Sequence, residues 1–121
     1  MNKEQGTRNK EQDPSEFQVP SSTALRYNLP MSPVRIGVIG DFRPYVYHHA
    51  TNDALALTAG RLGVELEYEW VPTDALAGHA AALLEPFDGI WASPGSPYKS
   101  MEGALEGIRF ARESGRPFVA T

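Results

Sequence analysis

Phe87-Asp88-Gly89-Ile90-Trp91-Ala92-Ser93-Pro94-Gly95-Ser96-Pro97-Tyr98 is the stretch whose reading decides the fold. Residues 87–92 form an apolar strand, 93–98 a tight Pro/Gly/Ser turn, and Ser100-Met101-Glu102-Gly103 opens a helix. A strand that passes through such a turn into a helix leaves backbone N–H groups unpaired at the junction, where they can face a ligand. Beyond that helix, Arg116-Pro117-Phe118-Val119-Ala120-Thr121 is a further apolar strand.

Upstream of the turn the pattern repeats. Val34-Arg35-Ile36-Gly37-Val38-Ile39 is a short apolar strand closed by Gly40-Asp41, and Phe42 to Tyr47 is an aromatic loop because Pro44 disfavours further strand pairing. A helix is predicted from about His48 to Leu62, with Leu55, Ala59 and Leu62 on one stripe and Gly63 as its left-handed cap. Val64 to Val71 alternates apolar residues with Glu65, Glu67 and Glu69, a strand with one solvated face and therefore at a sheet margin. Thr73 is placed to cap a second helix with the stripe Leu76, Ala80 and Leu83, ended by Pro86. The third helix is expected to bury Met101, Leu105 and Ile108, carry Arg109 and Arg112 near its end, and stop at Gly115. Strands alternating with helices of this length imply parallel pairing through right-handed crossovers. The fold class is thus α/β: a flavodoxin-like three-layer α/β/α domain with a parallel sheet in the order 2-1-3-4. Its ligand crevice is expected where the first and third strands part, between Gly40–Tyr47 and Ser93–Tyr98.

Composition narrows the function. A net charge of −4 argues against a phosphate-backbone binder, so no nucleic-acid partner is expected. No apolar run approaches the roughly 20 residues of a membrane span, and the N-terminus has no signal-peptide core; a cytoplasmic protein without a membrane partner is expected. With no cysteine in the sequence there is no disulfide and no thiol nucleophile. Residues 1–33, with the twice-written Asn-Lys-Glu-Gln and scattered prolines, lack the apolar periodicity of a core face and are expected to be a disordered tail before the domain at 34–121.

Together, Val34 to Phe42, Phe87-Asp88-Gly89-Ile90, Pro94-Gly95, Met101-Glu102-Gly103 and Arg116 to Thr121 resemble the first half of a class I glutamine amidotransferase domain, most closely the glutaminase domain of CTP synthase. In that family the turn after the third strand holds glutamine and the oxyanion with glycine amides. The resemblance places those roles on Gly95 and Ser96. It implies glutamine as the small-molecule ligand, ammonia supplied for CTP formation, and a Cys-His-Glu triad, none of whose members is identified in this chain. It also implies that the strand at 116–121 leads to the nucleophile, so the chain is expected to be the front part of a larger sheet, inactive alone. Ser96 and Pro97 depart from the family's Gly and Phe, and Pro97 has no N–H to donate.

Other constellations carry less. Adjacent His48 and His49 point about 100° apart on a helix, so they are expected to be a solvated helix start, and neither metal nor cofactor is expected. Gly37-Val38-Ile39-Gly40 lacks the third glycine of a dinucleotide fingerprint. Asp41 ends the first strand, whereas a response-regulator phosphoacceptor would stand at Ser93. Trp91 beside Phe87 is expected in the core. The alternative to a glutaminase part is a non-catalytic small-ligand or subunit-interaction module, self-associating or completed by another chain.

Overall fold

A computed structural model describes residues 32–95 and 97–121, so the expectations for the tail (all but Ser32 and Pro33) and for Ser96 lie outside the described residues. The elements are β1 (Val34–Ile39), α1 (Val46–Leu62), β2 (Leu66–Val71), α2 (Thr73–Leu76), α3 (Ala80–Leu84), β3 (Gly89–Ala92), α4 (Met101–Ser114) and β4 (Phe118–Ala120). The sheet order is β2-β1-β3-β4. All three pairings are parallel, with Ile39 beside both Val71 and Ala92. This is the flavodoxin-like arrangement expected from the alternation of strands and helices. β2 is an edge strand, with Glu67 and Glu69 in solvent.

Period two divides the sheet into two faces. Ile39, Val71, Ile90 and Ala92 point to one side and form the core with Leu76, Leu84, Phe87, Ala104 and Ala111. On the other side lie Val38, Trp70 and Trp91, which share one register, and α1 covers part of that side through the Trp70 Nε1–H bond to Asn52 Oδ1 at 2.8 Å. Trp91 therefore faces away from Phe87 and is only half-buried, contrary to its expected place in the core, because the pleat gives the core to Ile90 and Ala92. β4 is an exposed edge, with Phe118 40% and Val119 50% accessible.

Two helices depart from their expected faces. The second helical segment breaks into α2 and α3 because Ala77 is extended and Gly78 takes a left-handed φ of 80°. Its buried residues are Leu76, Ala80 and Leu84, not Leu83. Thr73 does not cap it: the N-cap is Pro72, and Thr73 is turned inward. In α4, Met101 and Leu105 are exposed and Ile108 is half-buried, while Gly103, Ala104, Gly107 and Ala111 are buried. The cause is close approach. A Cβ on Gly103 would land on the Thr73 carbonyl oxygen, and one on Gly107 would sit 2.7 Å from Ile39 Cδ1. Only a face of glycine and alanine lets the α4 backbone lie that near α2 and β1. The ends of α4 are as expected: the Ser100 hydroxyl accepts from the Gly103 N–H, and Gly115 caps it with φ 74°.

Arg116 fastens the entry to β4. Its Nε–H donates to the Phe87 carbonyl at 2.8 Å and an Nη–H to the Glu85 carbonyl at 2.8 Å, and its guanidinium stacks on Phe110.

The packing of α4 makes a prediction with opposite signs at two glycines. Gly103→Ala will destabilise the chain by about 1–3 kcal/mol through overpacking against backbone. Gly60→Ala, in the exposed last turn of α1 where a Cβ meets nothing within 4 Å, will stabilise it by about 0.4–1 kcal/mol. Urea unfolding of the two variants beside the parent checks both signs.

Candidate functional site

Because β2 and β4 lie on opposite sides of the β1–β3 pair, the chain leaves the carboxyl ends of β1 and β3 in opposite directions. That divergence opens a crevice between the segment after Ile39 and the segment after Ala92, the usual ligand position in open α/β sheets. The segments meet at close range. Ser93 N–H donates to the Ile39 carbonyl at 3.0 Å, and a Cβ on Gly40 would collide with the Ser93 hydroxyl.

Asp41 is the first residue beyond this contact. Its Oδ1 accepts the Thr73 N–H at 2.8 Å, and its Oδ2 accepts the Thr73 hydroxyl at 2.8 Å and the Lys99 N–H at 2.9 Å. The Thr73 oxygen in turn accepts the Ser100 N–H at 2.9 Å. One carboxylate thus joins the exit of β1, the start of α2 and the approach to α4. Burial alone would raise the Asp41 pKa; hydrogen bonds from Lys99 and Thr73, with the Lys99 charge, outweigh it and hold the carboxyl below its ordinary 3.8. A carboxylate so engaged is a brace, and the phosphoacceptor role set aside from sequence is foreign to it.

His48 corrects the expected solvated helix start. It is 2% exposed. Its Nε2 lies 2.9 Å from the Pro94 carbonyl oxygen and its Nδ1 2.9 Å from the Arg43 N–H. The ring packs among Phe42, Tyr47 and Trp70, with centroids 4.8–5.7 Å away. The imidazole therefore ties the aromatic loop to the turn after β3. No group of three or more His, Cys, Asp or Glu among the described residues could hold a metal ion.

Gly95 stands where the sequence places a ligand-binding amide. Its φ is 155°, and a Cβ there would sit 3.3 Å from His48 Nε2. It lines a cleft of about 250 Å³ together with Asp41, Arg43, Tyr45, Tyr47 and His48. It also borders a more open hollow with Tyr47, Tyr98 and Thr121. Tyr98 O–H donates to the Ser93 carbonyl at 2.6 Å, and burial, then the Asp41 charge, raises its pKa above 10.0. Among the described residues no hydrogen bond takes up the Gly95 N–H. A backbone donor, a guanidinium and two phenols suit a small polar ligand bearing a carboxylate or another oxyanion. The Ser93 hydroxyl is buried and donates to the Pro94 carbonyl at 3.2 Å, so it is not presented to the cleft as a nucleophile.

The fold is that of a doubly wound parallel α/β domain with a crevice at its switch point. In sequence the chain is similar to CTP synthases, the kinship implied by its motifs. It is 33% identical to the CTP synthase of Rubrobacter xylanophilus over 89 residues, covering 71% of this chain and 16% of that protein. Against the CTP synthase of Acidobacterium capsulatum identity is 32% over 100 residues, 81% of this chain and 18% of the relative. Against that of Ruminiclostridium cellulolyticum it is 34% over 98 residues, 77% and 18% respectively. The region is therefore related to CTP synthase, and it spans less than a fifth of the length of these relatives. No protein-family model matches the sequence.

Of the two residues that sequence placed in the site, Gly95 lies in the crevice and Ser96 is outside the described residues. Asp41 and His48 were missed as members of the constellation. A signal for His48 existed: His48, Thr51, Leu55, Ala59 and Leu62 extend the inward stripe of α1 backwards at helical spacing. Asp41 carried none, since its partners are 32 and 58 residues away.

The Asp41 brace predicts an acid-labile contribution to stability. Its folded pKa is lowered, so this contribution is present above the unfolded value near 3.8 and is lost as pH falls through the depressed folded value. Asp41→Asn will lack this component, and its urea midpoint will fall less than the parent's as the pH is lowered from neutrality through 3.8 and below. Asp41→Ala will cost about 1–3 kcal/mol at neutral pH by stranding the buried Thr73 N–H and hydroxyl.

Proposed function

We propose that this chain contributes the glutamine-binding side of a CTP synthase-type glutamine amidotransferase domain. The similarity to CTP synthases supports the family setting. The observation that carries the reading is the Gly95 turn, a glycine-bearing strand-to-helix junction at the β1–β3 switch point with an amide not taken up by any described residue. In this reading the Gly95 N–H meets the oxyanion or the carboxylate of glutamine, and Arg43 attracts the ligand's negative end. The complete reaction would hydrolyse the side-chain amide of glutamine through a cysteine thioester and release ammonia for CTP formation. A chain without cysteine supplies no thiolate, so it binds glutamine without turning it over.

A second reading, a non-catalytic binding module for a small carboxylate or phosphate, is favoured by Pro97, which cannot donate from the backbone where an oxyanion donor is expected. Both predict an occupied cleft, and they differ in ligand.

Titration of ¹⁵N-labelled full-length chain with L-glutamine, against L-glutamate and inorganic phosphate, separates them. The amidotransferase reading expects saturable shifts at the Gly95 and Arg43 amides with glutamine, weaker ones with phosphate, and no ammonia release. Unmoved Gly95 and Arg43 amides at saturating glutamine overturn it, and ammonia release from the cysteine-free chain overturns the need for a thiolate.

A further inference from the structure

We infer that His48 is a positioning residue: as the neutral Nε2–H tautomer it holds the Pro94 carbonyl and so sets the direction of the Gly95 N–H. This deepens the reading above, in which that N–H meets the ligand.

The tautomer follows from the two partners of the ring. A carbonyl oxygen only accepts, so the 2.9 Å contact from Nε2 to the Pro94 oxygen requires the proton on Nε2. A backbone N–H only donates, so the 2.9 Å bond from Arg43 N–H requires a bare lone pair on Nδ1. Each bond fixes the nitrogen state that the other needs. The Arg43 carbonyl, 3.1 Å from Nδ1, is then a neighbour and not a partner.

The consequence for Gly95 comes from the planar trans peptide, in which C=O and the following N–H point in opposite directions. With the Pro94 oxygen drawn to the imidazole, and held also by the Ser93 hydroxyl at 3.2 Å, the Gly95 N–H is turned away from His48. Glycine itself exerts little preference over that orientation, since without a Cβ it visits both halves of φ space. A turn built on Gly95 with φ 155° needs an external latch to keep its peptide plane from rotating, and the buried imidazole provides one. The same ring ties the chain just ahead of α1 through the Arg43 N–H, at a helix start where Tyr45 makes no side-chain cap bond. The aromatic loop and the ligand turn are thereby set by one side chain.

Long-range ¹⁵N–¹H correlation of the imidazole in the parent chain is the first test, and it needs no variant. The expected result is a protonated Nε2 and an unprotonated Nδ1; a proton on Nδ1 with Nε2 bare overturns the inference. The second test compares His48→Phe, which keeps a ring and loses both polar contacts, with His48→Gln, whose amide N–H can still reach the Pro94 oxygen. His48→Phe is expected to shift the Gly95 amide resonance and weaken glutamine binding about tenfold, the worth of one net hydrogen bond at the upper end of its range. His48→Gln is expected to recover most of both. A Gly95 amide unmoved in a folded His48→Phe overturns the inference whether or not glutamine binds. Should His48→Phe fail to fold, the tautomer and the His48→Gln amide shift decide. If the Gly95 amide responds to His48→Phe while the parent chain ignores glutamine, the latch stands and the glutamine reading falls.

Discussion

Asp41 stands two residues beyond β1, where the chain leaves the sheet, and its two oxygens serve three donors from two distant segments. Without that carboxylate the Thr73 N–H and hydroxyl would be buried without partners, a cost of the order of a hydrogen bond each. Thr73 is also the residue whose carbonyl lies against the Gly103 face of α4. Once Asp41 fixes Thr73, the level of α2 relative to the sheet is fixed, and α4 can come down only on a face without side chains. The small-residue face of α4 and the inward turn of Thr73 are thus two results of one electrostatic anchor.

The crevice follows from the same geometry. Parallel strands in the order β2-β1-β3-β4 leave a gap at the carboxyl ends of the central pair, because the loops after β1 and β3 depart to opposite sides. Asp41 braces the floor of that gap and His48 crosses its wall. Between them sits a glycine whose backbone is available to a ligand. The described part of the site combines one main-chain donor with a guanidinium and two phenols, an arrangement suited to holding negative charge.

Much of this was legible from residue order. The period-two run at 66–71, the β-α alternation, the glycine caps at 63 and 115 and the serine cap at 100 depend on interactions within a few residues, and each appears where local chemistry puts it. Faces were less legible. Met101 and Leu105 satisfy an apolar stripe, yet they lie outside because α4 turns Gly103 and Gly107 inward against Thr73 and Ile39. Trp91 has the composition of a core residue and the parity of the other face. His48 resembles a surface residue beside His49, but it completes the stripe of α1 and finds two backbone partners, one of them 46 residues away.

By itself, the sequence determined the element types, their order and the parallel topology, because hydrophobic period and turn chemistry are local properties of the chain. It also carried the likeness to CTP synthase. Tertiary structure alone decided which helix face is buried, what Asp41 braces and what the imidazole of His48 holds. Those outcomes depend on atoms brought within three ångströms of each other from positions tens of residues apart, and no local pattern encodes such distances.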